Sequence, residues 1–210
     1  MRKIRNITAV CLLTGLVLSG CGRQSQITYE STRMETMAED MQENSQADSF
    51  AKNLCVVTGA EGEADASVTA EAAAVFGVDT KEVIFQKNPF ERLYPASITK
   101  VMTALLVLER CSLNDTVTFS ASATTNLESG AVSLGISEGD QLTVEQCLYG
   151  LLLKSANEIG NGLAEHVAGS VSAFADLMNA RARELGCKNT HFTNPHGLND
   201  TAHKTTPYDM

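Results

Sequence analysis

Tyr94-Pro95-Ala96-Ser97-Ile98-Thr99-Lys100-Val101-Met102-Thr103-Ala104-Leu105 decides how this chain is read. A proline leads into a helical period. Val101, Ala104, Leu105 and Leu108 recur at helical spacing and predict a core-facing side for a helix over Ser97 to Glu109. Ser97 and Lys100 stand three apart, which places both on one helical face one turn apart. A serine hydroxyl is a poor nucleophile at neutral pH and needs a base within hydrogen-bond reach. Near a helix N-terminus, the Ser97 N–H also belongs to the donors without a helical partner, which could stabilise an oxyanion. Burial and the helix dipole would push Lys100 toward its neutral, basic form. The same spacing reads equally well as an N-cap serine followed by a solvated lysine. Ser49-Phe50-Ala51-Lys52 repeats it in a polar stretch with no amphipathic helix behind it.

Outward from this segment, Ala72–Val78 and Glu82–Gln86 flank Asp79-Thr80-Lys81 and read as a hairpin. Val117–Phe119 and Gln141–Val144 read as short strands. Thr143-x-x-Gln146 predicts a capping box opening a helix through Leu152, and Ser155-x-x-Glu158 another, for a helix running to His166. A third helix is expected from Ser172 to Leu185, stopped by Gly186. Ser155-Ala156-Asn157 supplies a second hydroxyl that could relay a proton and an amide that could hold a substrate carbonyl or the lysine. Ser112-Leu113-Asn114 has the same pattern but falls in the turn ending the first helix, away from its N-terminal end.

Before the domain, Arg2, Lys3 and Arg5 precede an apolar run, Ile7 to Leu18, that is too short to span a bilayer comfortably. It ends in Leu18-Ser19-Gly20-Cys21, which resembles the lipobox of bacterial lipoproteins and implies an acylated Cys21, hence a lipid anchor on the outer face of the cell membrane. Residues 1–21 are therefore expected to be a lipoprotein signal, 22–53 a flexible polar tether, and 54–210 the folded part. Removing Arg2, Lys3 and Arg5 leaves 13 basic against 25 acidic residues, a charge of -12, which gives no electrostatic reason to bind nucleic acid. Cys55, Cys111, Cys147 and Cys187 allow three disulfide pairings, and a buried free thiol is expected at Cys147.

S-x-x-K at Ser97–Lys100 followed by S-x-N at Ser155–Asn157 is the pattern of the penicillin-recognising serine enzymes. The wording around them, with Tyr149-Gly150-Leu151-Leu152-Leu153, Thr193-Asn194-Pro195-His196-Gly197-Leu198 and Pro207-Tyr208-Asp209-Met210, resembles the D-alanyl-D-alanine carboxypeptidase family of low-molecular-mass penicillin-binding proteins over about residues 70–210. The resemblance implies an α+β fold of the β-lactamase/transpeptidase kind, a helical subdomain beside an antiparallel sheet. It implies Ser97 as acyl-enzyme nucleophile, Lys100 as proton acceptor, Ser155 as proton relay and Asn157 as a substrate contact. The substrate would be the peptidoglycan pentapeptide ending in D-Ala-D-Ala, with β-lactams as inhibitors and no cofactor. The family's Lys-Thr-Gly motif is not found, and Lys204-Thr205-Thr206 is no substitute. The chain is thus expected to be the front part of such an enzyme, stopping before the closing strands and inactive alone.

Other readings stay open. A class A β-lactamase would place a glutamate shortly after S-x-N, and none occurs around Asn189 to Asn199. A DD-endopeptidase shares the motifs, and a non-catalytic muropeptide-binding lipoprotein is compatible with the absent third motif. His191, His196 and His203 lack the H-E-x-x-H spacing of a zinc peptidase, so no metal site is expected.

Overall fold

The computed structural model describes residues 67–125, 127–128 and 130–210. The leader, Cys21, the tether, the Ser49 motif and Cys55 lie outside the described residues. The expected hairpin is present: β1 (Ala73–Phe76) pairs antiparallel with β2 (Val83–Lys87), Ala73 opposite Lys87, with a register irregularity after Val75. Lys81 turns the chain in the left-handed region at φ 59°. β3 (Thr116–Thr118) pairs antiparallel with β4 (Gln141–Thr143). These strands form two separate two-stranded sheets. The single partial sheet expected from the sequence is therefore divided.

Among the described residues there are five α-helices, α1 (Thr99–Arg110) between β2 and β3, α2 (Ala121–Thr124) between β3 and β4, and α3 (Val144–Leu153), α4 (Asn157–Ala168) and α5 (Val171–Glu184) after β4. The capping box of α3 forms reciprocally, Gln146 N–H donating to Thr143 Oγ1 at 3.2 Å and Thr143 N–H to Gln146 Oε1 at 2.9 Å. α5 begins one residue before the expected Ser172 because Ser170 caps it, accepting from Ala173 N–H at 3.1 Å. It stops before Gly186, whose φ of 88° suits a residue without Cβ. Among the described residues no helix is long and apolar enough to cross a membrane.

α1 is buried on two sides, and this corrects its expected core face. Ala104 and Val107 enter a cluster with Phe119, Cys147, Leu148, Leu151, Ile159 and Leu163. Met102 and Leu106 enter a second cluster with Phe174, Met178 and Phe192. Of the residues expected to face the core, Ala104 is buried, Leu105 and Leu108 pack at the cluster margins, and Val101 is 58% exposed. An apolar pattern passes over Thr99, Lys100 and Thr103, yet all three are buried. Cys147 is a buried free thiol, as expected, and Cys111 and Cys187 are also unpaired.

Candidate active site

Ser97 is carried by a tight entry into α1. Ala96 to Ile98 form a single 3₁₀ turn whose first bond runs from Ile98 N–H to Pro95 O at 3.2 Å. Ser97 N–H therefore precedes the bonded ladder, among the donors that a helix leaves over. Ala96 adopts φ 47°, an uncommon conformation for a residue with Cβ. Such strain persists only where its surroundings hold it. Here the holder is Gly197 (φ 87°): any Cβ at that position would overlap the Ala96 carbonyl.

Ser97 and Lys100 face each other as their spacing predicts, with Lys100 Nζ 3.2 Å from Ser97 Oγ. Lys100 is 2% exposed. Its Nζ also donates to Asn157 Oδ1 and to the His196 carbonyl, each at 2.9 Å. Burial lowers its pKa from 10.5 to about 8. A neutral amine has two N–H donors and one lone pair. The two fixed acceptors can take both donors, which leaves the lone pair for the Ser97 hydroxyl proton.

Ser155 arrives from the junction of α3 and α4, and its Oγ donates to Ser97 Oγ at 2.9 Å. The capping box expected at Ser155 and Glu158 does not form. Ser155 sits at φ 61°, whereas an N-cap residue has extended backbone; Ala156, at φ -66° and ψ 126°, takes that place without a side-chain bond. The hydroxyl is thereby released from the helix and turned onto Ser97. Asn157 is 4% exposed and binds the lysine on one side, while its Nδ2 donates to Val132 O at 3.2 Å on the other.

The fourth wall is the loop Asn194–Leu198. Asn194 Oδ1 accepts from His196 N–H and Gly197 N–H at 3.2 and 2.7 Å, and Thr103 Oγ1 donates to Pro195 O at 2.6 Å. This fixes the His196 carbonyl over Lys100. The His196 ring is half-buried and its pKa is pulled down to about 4, by desolvation first and then by Lys100 and His203. Beneath it, His203 is 1% exposed. Its Nδ1 accepts from Thr193 N–H at 3.0 Å, so the proton lies on Nε2, 2.8 Å from Thr99 Oγ1. Burial lowers the pKa of His203 as well, with His191 adding to the effect and Asp200 opposing it.

All four expected site residues that are described, Ser97, Lys100, Ser155 and Asn157, are thus brought together, while Ser112 lies in the turn after α1. The sequence reading missed the carbonyls of His196 and Val132 and the supports Gly197 and His203. The Asn194-Pro195-His196-Gly197 wording was their signal, but it carried no role. His191, His196 and His203 do not gather as ligands. Among the described residues, the one group of His, Cys and carboxylate donors within 4.8 Å of one another is Cys111, Asp115 and His166, at the other end of α1.

A serine, a buried lysine one turn away and a second serine hydroxyl define the class of active-serine acyl-transfer enzymes. The model of the D-alanyl-D-alanine carboxypeptidase family matches residues 59–210, and the chain belongs to that family. It is 38% identical over 146 residues to D-alanyl-D-alanine carboxypeptidase DacF of Bacillus subtilis, covering 67% of this chain and 37% of the relative. A D-alanyl-D-alanine endopeptidase of Pseudomonas aeruginosa is 34% identical over 128 residues, covering 60% of this chain and 41% of that protein. Penicillin-binding protein 5 of Haemophilus influenzae superposes with a TM-score of 0.63 at 31% identity, covering 67% of this chain and 42% of that one. The DacD carboxypeptidase of Francisella tularensis gives the same TM-score and identity over 68% of this chain and 35% of that one. The fold is therefore the penicillin-binding DD-peptidase fold, and the chain spans about two fifths of the length of the Bacillus subtilis and Pseudomonas aeruginosa relatives.

Proposed function

We propose that the full-length protein is a serine-type D-Ala-D-Ala carboxypeptidase acting on peptidoglycan stem pentapeptides. The observation that carries this reading is Ser97 Oγ set between Lys100 Nζ and Ser155 Oγ. Ser97 Oγ attacks the carbonyl of the penultimate D-Ala while Lys100 takes the hydroxyl proton. The C–N bond to the terminal D-Ala breaks, and the proton passes through Ser155 to the leaving amine. Water then hydrolyses the acyl-enzyme ester, returning the Ser97 hydroxyl and releasing the shortened peptide. A β-lactam would acylate the same oxygen through its ring carbonyl. Asn157 holds the base through Oδ1, and the family resemblance implies that it also contacts the substrate backbone.

The test uses protein expressed from the full-length gene. Fluorescent penicillin should label it covalently, Ser97→Ala should abolish the label, and pentapeptide should lose free D-Ala. Full-length protein that neither labels nor releases D-Ala would favour the binding-lipoprotein reading. The endopeptidase among the relatives supports a second reading, cleavage of cross-links, which shows as cleavage of cross-linked muropeptide dimers in preference to D-Ala release.

We also propose that the protein is exported and tethered by lipid at Cys21, on the strength of the basic start, the apolar run and Leu18-Ser19-Gly20-Cys21. Two or more acyl chains anchor stably, since each buried methylene adds about 0.8 kcal/mol. A fatty-acid probe should label the wild type and not Cys21→Ala; equal labelling of the two removes the anchor.

A further inference from the structure

Glu158 pairs with Ser155 in the sequence but is employed elsewhere in the fold. It is 1% exposed, on the first turn of α4. Its Oε1 accepts three hydrogen bonds from one short loop: from Ser133 Oγ at 2.7 Å, Leu134 N–H at 2.5 Å and Gly135 N–H at 3.1 Å. Its Oε2 is buried and makes no hydrogen bond among the described residues. One oxygen that accepts from two consecutive main-chain N–H groups and a hydroxyl is a strong tie, because losing it would leave those donors unpaired together. The loop is also wedged by packing, with the Leu134 side chain lying against Gly150 of α3.

The consequence falls on the residue before this loop. The Val132 carbonyl accepts both from Asn157 N–H at 2.9 Å and from Asn157 Nδ2 at 3.2 Å. An amide held by its Nδ2 presents Oδ1 on the opposite side, and that oxygen accepts from Lys100 Nζ. We infer that Glu158 is a positioning residue for acyl transfer: by clamping residues 133–135 it fixes the Val132 carbonyl, which orients the Asn157 amide and so the Lys100 amine against Ser97. It touches no reacting atom itself. This inference rests on the acyl-enzyme reading above.

The experiment compares full-length wild type, Glu158→Ala, Glu158→Gln and Met178→Ala for the first-order acylation constant and the prior affinity for a reporter β-lactam, with Tm recorded for each. Misplacing a reacting group by about 1 Å costs about 10²-fold. Glu158→Ala should therefore lose about that factor in the acylation constant with little change in affinity. Glu158→Gln keeps an acceptor for the loop and should recover most of the rate. Met178→Ala opens a cavity in the second core cluster; it should lower Tm without slowing acylation. Acylation of Glu158→Ala at the wild-type rate overturns the inference, and so does an equal loss in Met178→Ala, since either makes the carboxylate merely structural. Wild type that does not acylate at all is a different failure, that of the acyl-enzyme reading itself.

Discussion

Acylation of Ser97 should follow the deprotonation of Lys100, so its rate should climb with pH and level off near pH 8. The perturbation is pH itself, and the magnitude comes from the burial of one amine. With its pKa lowered from 10.5 to about 8, Lys100 is neutral in about one molecule in ten at pH 7, against about one in 3,000 for a solvated lysine. Burial thus enriches the competent base by roughly 300-fold, a large share of what a positioned general base contributes. The neighbouring ring does not confuse the profile: His196, with its pKa near 4, stays neutral across the range. Single-turnover acylation of the full-length protein, followed with a chromogenic β-lactam from about pH 6 to 10, should therefore rise about tenfold per unit and flatten near pH 8. Lys100→Ala should lose about 10²–10⁴-fold and the rising limb with it. A wild-type profile flat from pH 6 to 9, or one that keeps rising toward pH 10.5, would refute the assignment of Lys100 as a buried neutral base.

Three further outcomes follow from the same geometry. The unfolded chain binds a proton at Lys100 up to about pH 10.5 while the folded chain releases it from about pH 8, so wild type should gain stability relative to Lys100→Met as pH rises through that window; urea midpoints at both ends check this. Gly197→Ala should cost at least about 1–3 kcal/mol, because φ 87° disfavours Cβ and the Ala96 carbonyl occupies its place, and acylation should slow with it; thermal melts and penicillin labelling read the two effects. Gly162→Ala drives a methyl into the Phe119 ring, so it should lose about 1–3 kcal/mol while the folded fraction still acylates Ser97.

What the sequence revealed and what it concealed divide along a physical line. Ser97, Lys100, Ser155 and Asn157 were legible because they meet through side chains of recognisable chemistry whose spacing survives as text. Lys100 was legible from its spacing to Ser97 as a base whose pKa burial lowers, although the apolar period alone counts a lysine as solvent-facing. Thr99 and Thr103 were passed over by that period, although both are buried with their hydroxyls bonded to His203 and Pro195. Carbonyls leave no mark in a sequence at all. The oxygens of His196 and Val132 serve the site only because Asn194 and Glu158 bend two loops toward it, and no local rule links residues 132 and 194 to residue 100.

Ser155 is the case in which a sound local rule gave the wrong geometry. Ser-x-x-Glu satisfies every requirement of a capping box except the backbone of its first residue. An N-cap needs extended backbone, and at φ 61° Ser155 cannot supply it. Both partners of the forgone cap are used instead, the hydroxyl on Ser97 and the carboxylate on the loop at 133–135. A capping box contributes on the order of 1 kcal/mol to a helix. α4 forgoes it and keeps its place through the buried side chains of Ile159 and Leu163. Packing of the helix is therefore what frees its first turn for chemistry. The same division holds at α1, where Ala104 and Val107 on one side and Met102 and Leu106 on the other secure a helix whose entry residue, Ala96, is strained. The site is built at the least regular points of the two best-packed helices, because only a helix held by its core can tolerate termini shaped for another purpose.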